Sequence, residues 1–258
     1  MQTITQTLLC STSIFDVKIA DSLSEIEKAL RLRYEVFNLE LNEGLQSSHE
    51  TGFDSDVYDT FCDHLIVTHK ESQCVVGTYR LLKKSKAEKH IGFYSENEFD
   101  IRSLKNIKGE ILELGRSCIA KEFRNVAVIN LLWTGIAHYL EINNISYLFG
   151  CASLHTLDEK KIIPAYSYLL KNYLADSTFH VQPLPQCSAY LTSAANDHPN
   201  LEDGFSTLPP LLKGYLRLGA KICGEPALDK EFGTTDFLII VDKASISDRY
   251  RNRFFRQS

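Results

Sequence analysis

Between Glu110 and Leu140, EILELGRSCIAKEFRNVAVINLLWTGIAHYL, the hydrophobic period of the chain changes once. The first part is a run of Ile, Leu, Cys and small residues bracketed by charges. It is too short for a buried helix and reads as a buried strand. In the last part Val128, Leu131, Leu132, Ile136 and Tyr139 recur at helical spacing, so Val126 to Glu141 reads as an amphipathic helix entered through the polar turn Lys121 to Asn125. A strand that runs straight into a helix N-terminus aims backbone N–H groups at the turn, which suits a phosphate or another anion. Two ionisable residues, Glu113 and Arg116, precede that turn on the strand, so chemistry and a bound anion would meet there.

With 258 residues and 44% hydrophobic content, the chain can bury a large core, and a single domain spanning 1–258 is expected. A net charge of -5 speaks against a nucleic-acid binder, whose phosphate contacts need a basic surface. The seven cysteines, Cys10, Cys62, Cys74, Cys118, Cys151, Cys187 and Cys223, are odd in number and contain no CxxC pair. Neither a disulfide framework nor a metal site is suggested, and reduced thiols in a cytoplasmic protein are the simpler reading. The N-terminus shows no basic segment followed by an apolar run, and Leu8-Leu9-Cys10 lacks the flanks of a lipoprotein cleavage box. No stretch reaches the ~20 apolar residues of a membrane-spanning helix. The expected location is the cytoplasm, with contact at the inner face of the cell membrane as the further reading.

Along the chain, Asp21 to Glu40 reads as the first helix, with Ser22 and Glu25 as a capping box and Leu23, Ile26, Leu30, Tyr34 and Phe37 as its apolar stripe; Arg33 lies beside that stripe. Asn42 to Asp59 has no period and reads as a loop long enough to cover a site. Cys62 to Thr68 and Cys74 to Leu82 form a hairpin. Ser146 to Ala152 is a strand that, with the central strand and helix, makes a parallel unit, so the sheet is mixed. Leu157 to Tyr173 reads as a helix whose true start is marked by Pro164. Pro183 to Pro199 is irregular. Pro209-Pro210 opens a short helix stopped at Gly219, and Thr234 to Val241 is the last strand.

This order of elements is that of the GNAT acyltransferase fold, a mixed, mainly antiparallel central sheet flanked by helices (α/β, or α+β). The segments LRYEVFNLE, CDHLIV, VVGTYRLL, ELGRSCIAKEFRN, LLWTGIAHYL and GYLRLGAKICGEPALD…TTDFLIIVD resemble the bacterial ornithine N-alpha-acyltransferases of ornithine-lipid synthesis and related amino-acid N-acyltransferases. The resemblance covers a core of about 19–242 and leaves a basic, aromatic tail, 248–258. A weaker similarity reaches the acyl-homoserine-lactone synthases, in which an Arg of the first helix, an acidic pair, an Arg of the hairpin and an E-x-x-R recur. Here those positions are Arg33, Asp56 with Asp59, Arg80, and Glu113 with Arg116. One departure stands out. The pyrophosphate loop of coenzyme-A-dependent members, R/Q-x-x-G-x-G/A, reads here Arg124-Asn125-Val126-Ala127-Val128-Ile129, without either glycine. Its loss fits a donor that presents only the acyl-4′-phosphopantetheine arm of an acyl carrier protein, with acyl-CoA as the second choice. No permanently bound cofactor is expected.

Acyl transfer from a thioester to an amine needs a base, an oxyanion donor and release of a thiolate. Glu113 is the candidate base, since a carboxylate in an apolar strand needs a partner or a purpose; the plainer reading pairs it with a neighbouring Arg. Glu113 and Arg116 have opposite parity on a regular strand. The resemblance implies a bulge, placed at Gly115, with the oxyanion met by backbone near Ser117, Cys118 and Ile119. The turn Arg124, Asn125, Val126, Ala127 and Val128 would hold the donor's phosphate. Arg33, Arg80 and Arg116 would clamp the acceptor's carboxylate or pair with Asp56, Asp59 and Glu113. Asp54, Asp56 and Asp59 would accept a second cationic group or form a solvated loop. Tyr166 or Tyr168 is the candidate acid.

His49 to Asp54 spells the H-x4-D of glycerolipid acyltransferases, but without that family's phosphate motif it reads as loop. The basic run Lys83, Lys84, Lys86 and Lys89 would steer an acidic carrier protein, and the arginine-aromatic tail would touch an anionic bilayer; for both, a solvated surface is the plainer reading. The function expected is transfer of a (3-hydroxy)fatty acyl group from acyl carrier protein to the alpha-amine of an amino acid, ornithine first. Glycine or another acceptor, an N-acyl signal as product, and a non-catalytic acyl- or carrier-binding module are the competing readings.

Overall fold

The computed structural model describes residues 8–124, 126–189, 191 and 202–255. The principal elements, in chain order, are β1 (Leu8–Ser11), β2 (Phe15–Ile19), α1 (Leu23–Arg33), β3 (Asp63–His69), β4 (Val75–Lys83), β5 (Glu110–Ile119), α2 (Val126–Ile142), β6 (Ile145–Leu154), α3 (Glu159–Tyr173), α4 (Pro210–Leu218), β7 (Ala227–Asp229), β8 (Thr234–Asp242) and α5 (Asp248–Phe254). The hairpin, the central strand and helix, the parallel strand and the last strand all lie within a few residues of their expected places.

Local chemistry explains the departures. Ser22 caps α1 by accepting the Glu25 N–H at 3.3 Å, but the Glu25 carboxylate reaches the Asp21 N–H and Lys18, so the box is not closed as expected. The expected helix 21–40 changes its winding at Tyr34, and Tyr34–Glu40 is a π-helix. The loop before β3 contains a helical turn at Ser48–Thr51 and a 3-10 turn at Val57–Thr60. Pro164 lies inside α3 rather than at its start. Asp158 caps the helix by accepting from the Lys160 N–H at 3.0 Å, and burial of Ile162, Ala165, Tyr166 and Leu169 offsets the backbone bond that proline removes. Gly219, at φ +106°, ends α4 as expected.

The chain forms two compact units. The first comprises 1–86, 114–144 and 248–258. In it β1, β2, β3 and β4 pair antiparallel in that order, with the later part of β5 beside β4. The β1–β2 hairpin is an addition to the expected strands. One face of this sheet packs against α1 through Ala29, Leu32, Ile66, Val75 and Cys118. The other carries α2, which approaches so closely at Gly135 that an added Cβ would lie 2.7 Å from Val17 and 2.8 Å from Leu65. Phe254 of α5 is buried, its ring 6.4 Å from that of Trp133 on α2.

The second unit comprises 87–113 and 145–247. The first residues of β5 run parallel to β6, from Glu110 opposite Ile145 to Glu113 opposite Phe149. β8 pairs antiparallel with β6, and β7 with β8. Tyr166 of α3 packs on Phe237 of β8. The pairing is therefore mixed and mainly antiparallel, with helices against it, as the sequence predicts.

Candidate active site

The central strand β5 is irregular where the sequence expects a bulge. The break falls one residue later than Gly115: Arg116 itself takes φ +47°, in the left-handed region, at a cost of roughly 1–2 kcal/mol for a residue with a Cβ. Such a conformation persists only where the surroundings enforce it, and it is a mark of functional sites. Here the surroundings are aspartates. Arg116 Nε lies 3.5 Å from Asp54 Oδ1, and Nη2 lies 3.7 Å from Asp56 Oδ2.

In the first unit these aspartates also hold two other arginines. Arg33, from the end of α1, is 1% exposed; its Nε donates to Asp54 Oδ1 at 2.7 Å and its Nη1 to Asp59 Oδ1 at 2.7 Å. Arg80, from β4, donates to Asp56 Oδ1 at 2.6 Å and lies over the Tyr58 ring. Asp59 in turn accepts from the Asp56 backbone N–H, which closes the 3-10 turn beneath the network. Burial works against all these charges, but the pairing outweighs it. Arg33 and Arg80 are held above the ordinary arginine value by the aspartates, and Asp59 is held well below the usual carboxylate range by Arg33 and Arg80. Burial pushes the neighbouring His64 imidazole down, so it is neutral at physiological pH. Three aspartates and three arginines thus balance in charge, and Asp54 and Asp59 are buried rather than part of a solvated loop, while Asp54 Oδ2 and Asp56 Oδ2 have no hydrogen-bond partner.

Glu113, in the second unit, is 5% exposed. Its Oε1 accepts from the Ser95 N–H at 2.8 Å and the Ser95 hydroxyl at 2.5 Å, and its Oε2 accepts from the Tyr94 N–H at 2.9 Å. These donors, at the start of the 3-10 turn Tyr94–Asn97, compensate a carboxylate taken out of water. The Ser95 hydroxyl also lies 3.5 Å from the Cys151 thiol of β6. Ser95 gave no signal in the sequence beyond its place in the acidic, aromatic segment FYSENEFD.

At the expected donor turn, Ser117 and Ile119 are half-buried and Cys118 is buried in the core, where desolvation pushes its thiol up to about 12. Such a thiol is no nucleophile at neutral pH. Arg124 donates from Nε to the Ile119 carbonyl at 3.0 Å and engages the Glu40 carboxylate through its other nitrogens. Val126 and Ala127, in the first turn of α2, are exposed, whereas Val128 is fully buried against Gly77. Asn125 lies outside the described residues. Tyr166 is buried, and Tyr168 packs on Tyr173 and Phe205. His49 bonds Tyr34 while Asp54 bonds Arg33, so the H-x4-D residues have different partners. In the basic run, Lys83 is tied to Asn143 and Lys86 to Asp63, while Lys89 is exposed.

Comparison with known proteins fixes the family. The family model for the acetyltransferase (GNAT) domain matches residues 32–134. An L-ornithine N(alpha)-acyltransferase from Brucella abortus is 38% identical over 245 residues, which are 91% of this chain and 86% of the relative. One from Rhizobium meliloti is 34% identical over 249 residues, 93% of this chain and 83% of the relative. Among solved structures, the acyl-homoserine-lactone synthase LasI superposes with a TM-score of 0.54 at 13% identity, covering 93% of this chain and 94% of its own. FeeM, an N-acyl amino acid synthase from uncultured soil microbes, gives a TM-score of 0.51 at 10% identity with the same coverage. The structures share the fold, and the sequences share much more: the chain belongs to the family of the L-ornithine N(alpha)-acyltransferases, acyltransferases built on the GNAT fold.

Proposed function

We propose that this protein transfers a fatty acyl group, 3-hydroxylated as in ornithine-lipid synthesis, from acyl carrier protein to the alpha-amine of ornithine. The observation that carries the reading is the match, over nine tenths of the chain, to enzymes named for that acceptor. The chemistry follows from β5. Glu113 takes a proton from the alpha-ammonium, with the Ser95 hydroxyl beside it as a relay. The nitrogen lone pair then adds to the thioester carbonyl, and backbone N–H groups near Ser117 and Cys118 stabilise the oxyanion. Collapse completes the C–N bond and breaks the C–S bond; the thiolate takes one of the two protons lost by nitrogen and the other passes to solvent. Arg33, Arg80 and Arg116, fixed by their aspartates, act as the frame on which the acceptor's carboxylate is oriented. The whole chain works as a single acyltransferase domain, in the cytoplasm at the membrane that receives its lipid product.

The donor reading rests on the turn after β5. Without glycine its backbone has no conformational freedom to fold closely around a pyrophosphate, and Arg124 is engaged by Glu40 and the Ile119 carbonyl. An arm carrying one phosphate fits this turn better than coenzyme A, and the basic residues Lys83 to Lys89 suit an acidic carrier. The test compares 3-hydroxyacyl carrier protein with the matching acyl-CoA at equal concentration, ornithine in excess. The expected result is a kcat/KM at least tenfold higher with the carrier protein; equal or better use of acyl-CoA would reverse the assignment of the donor.

A further inference from the structure

In the second unit the mechanism leaves one buried acidic pair unused. Glu98, just after the Tyr94–Asn97 turn, and Asp236, the third residue of β8, bring a carboxyl oxygen each to within 4.8 Å of one another and of Cys151 Sγ on β6. The strand register sets this up. Asp236 is opposite Ser153 and Leu238 opposite Cys151, so all four side chains share one face of the sheet. Glu98 and Asp236 are only 4% and 5% exposed, yet Glu98 Oε1 and Asp236 Oδ1 have no hydrogen-bond partner. Buried carboxyl oxygens of native proteins are nearly always bonded, and here the two carboxyls hydrogen-bond each other, with Ser153 and Thr234 also bonding Asp236, so a shared proton holds the pair until a cationic donor replaces it.

The electrostatics agree in sign. Burial first, then Asp236 and Asp229, pushes the Glu98 carboxyl up to about 10, and burial likewise pushes Asp236 upward. This is the reverse of Asp59, which Arg33 and Arg80 hold low. A cation entering between Glu98 and Asp236 would displace the proton they share and restore their charge. Cys151 and Ser153, toward the end of β6, are half-buried. The pair is also linked to the proposed base: Glu113 meets Ser95 at 2.5 Å, Ser95 meets the Cys151 thiol at 3.5 Å, and that thiol donates to Glu98 Oε2 at 3.8 Å.

We propose that Glu98 and Asp236 form the subsite that binds the side-chain ammonium of the acceptor and so selects a diamino acid; this rests on the reading of the protein as an acyltransferase acting on ornithine. The test compares ornithine with norvaline, the same carbon chain without the terminal amine, as acceptors for the wild type, Glu98→Gln and Asp236→Asn. The wild type is expected to favour ornithine by about 10- to 100-fold in kcat/KM, the range of a charged hydrogen bond. Each variant should lose most of that ratio through a raised ornithine KM, with a melting temperature no lower than that of the wild type. An unchanged ratio in both variants would overturn the proposal, as would loss of turnover with both acceptors, which would assign the pair to the fold. Stoichiometric zinc or manganese in the purified wild type, absent from the variants, would overturn it in favour of a metal. Should the wild type acylate neither acceptor, the functional reading fails, and calorimetric titration with ornithine and norvaline reads the same preference independently of turnover.

Discussion

Arg33 is held below the surface by two aspartates, and this geometry makes it the most consequential single side chain of the first unit. Truncation would leave Asp54 and Asp59 buried without their main partner, a loss of about 3–5 kcal/mol for a broken buried pair. Arg33→Ala is therefore expected to lower the urea midpoint sharply at unchanged m-value, and a shift below about 1 kcal/mol would show that the network is not structural. Glu98 carries a prediction of opposite sense. Its folded-state value is about 10, against about 4 for an unfolded glutamate. The folded chain then keeps a proton that the unfolded chain releases, so stability falls as pH rises from about 4 to about 10. Glu98→Gln should flatten that decline and melt higher than the wild type at alkaline pH; a parallel decline in the two proteins would contradict the assignment. At this scale the sequence was legible where charge interrupts an apolar run, as at Glu113 and Arg116. Asp236 within TTDFLIIVD carries the same signal, but nothing in the sequence pairs it with Glu98. Ser95 could not be found at all, since a serine in a polar segment costs nothing to leave in water.

The elements show where periodicity suffices. β5 and α2 stand almost where the change from strand to helix period puts them, because both bury a continuous apolar surface. The β1–β2 hairpin is not legible in the sequence: its strands are short, and the alternation Phe15, Val17, Ile19 is hard to distinguish from a loop until β3 supplies a partner. Pro164 misplaced the start of α3, because proline's preference for the first turn is weaker than burial of the helix face around it. Gly135 lies in the middle of α2, where glycine costs about 1 kcal/mol relative to alanine. Alanine is nevertheless predicted to destabilise, since its Cβ would press on Val17 and Leu65 and force the helix off β2 and β3. The expected loss for Gly135→Ala is about 1–3 kcal/mol by chemical denaturation, and a gain in stability would show that α2 does not seat on the sheet at this point.

For the molecule as a whole, no helix among the described residues is long and apolar enough to cross a membrane. The arginine-aromatic tail reads less simply than its sequence, because Phe254 turns inward against Trp133 and stacks near Tyr250 while Arg249, Arg251 and Arg253 stay exposed. That ring is therefore withdrawn from any bilayer contact, and removing the tail would disturb the packing on α2 as well as its charge. The family relationship was legible in the sequence because it rests on segments spread over nearly the whole chain, and so was the pairing of Arg33 and Arg80 with Asp59 and Asp56; the part of Asp54 was not, because it arises only when α1, the loop after it and β5 come together. The central claim, that this protein acylates the alpha-amine of an amino acid using Glu113 as base, is tested most directly by one assay. Purified wild type and Glu113→Gln are incubated with 3-hydroxyacyl carrier protein and a panel of free amino acids, and the amides are located by tandem mass spectrometry. The account predicts N-alpha-acylornithine as the main product and a fall of about 100-fold or more in kcat for Glu113→Gln, within the contribution of a general base. Acylation at the side-chain nitrogen, or a variant as fast as the wild type, would contradict it.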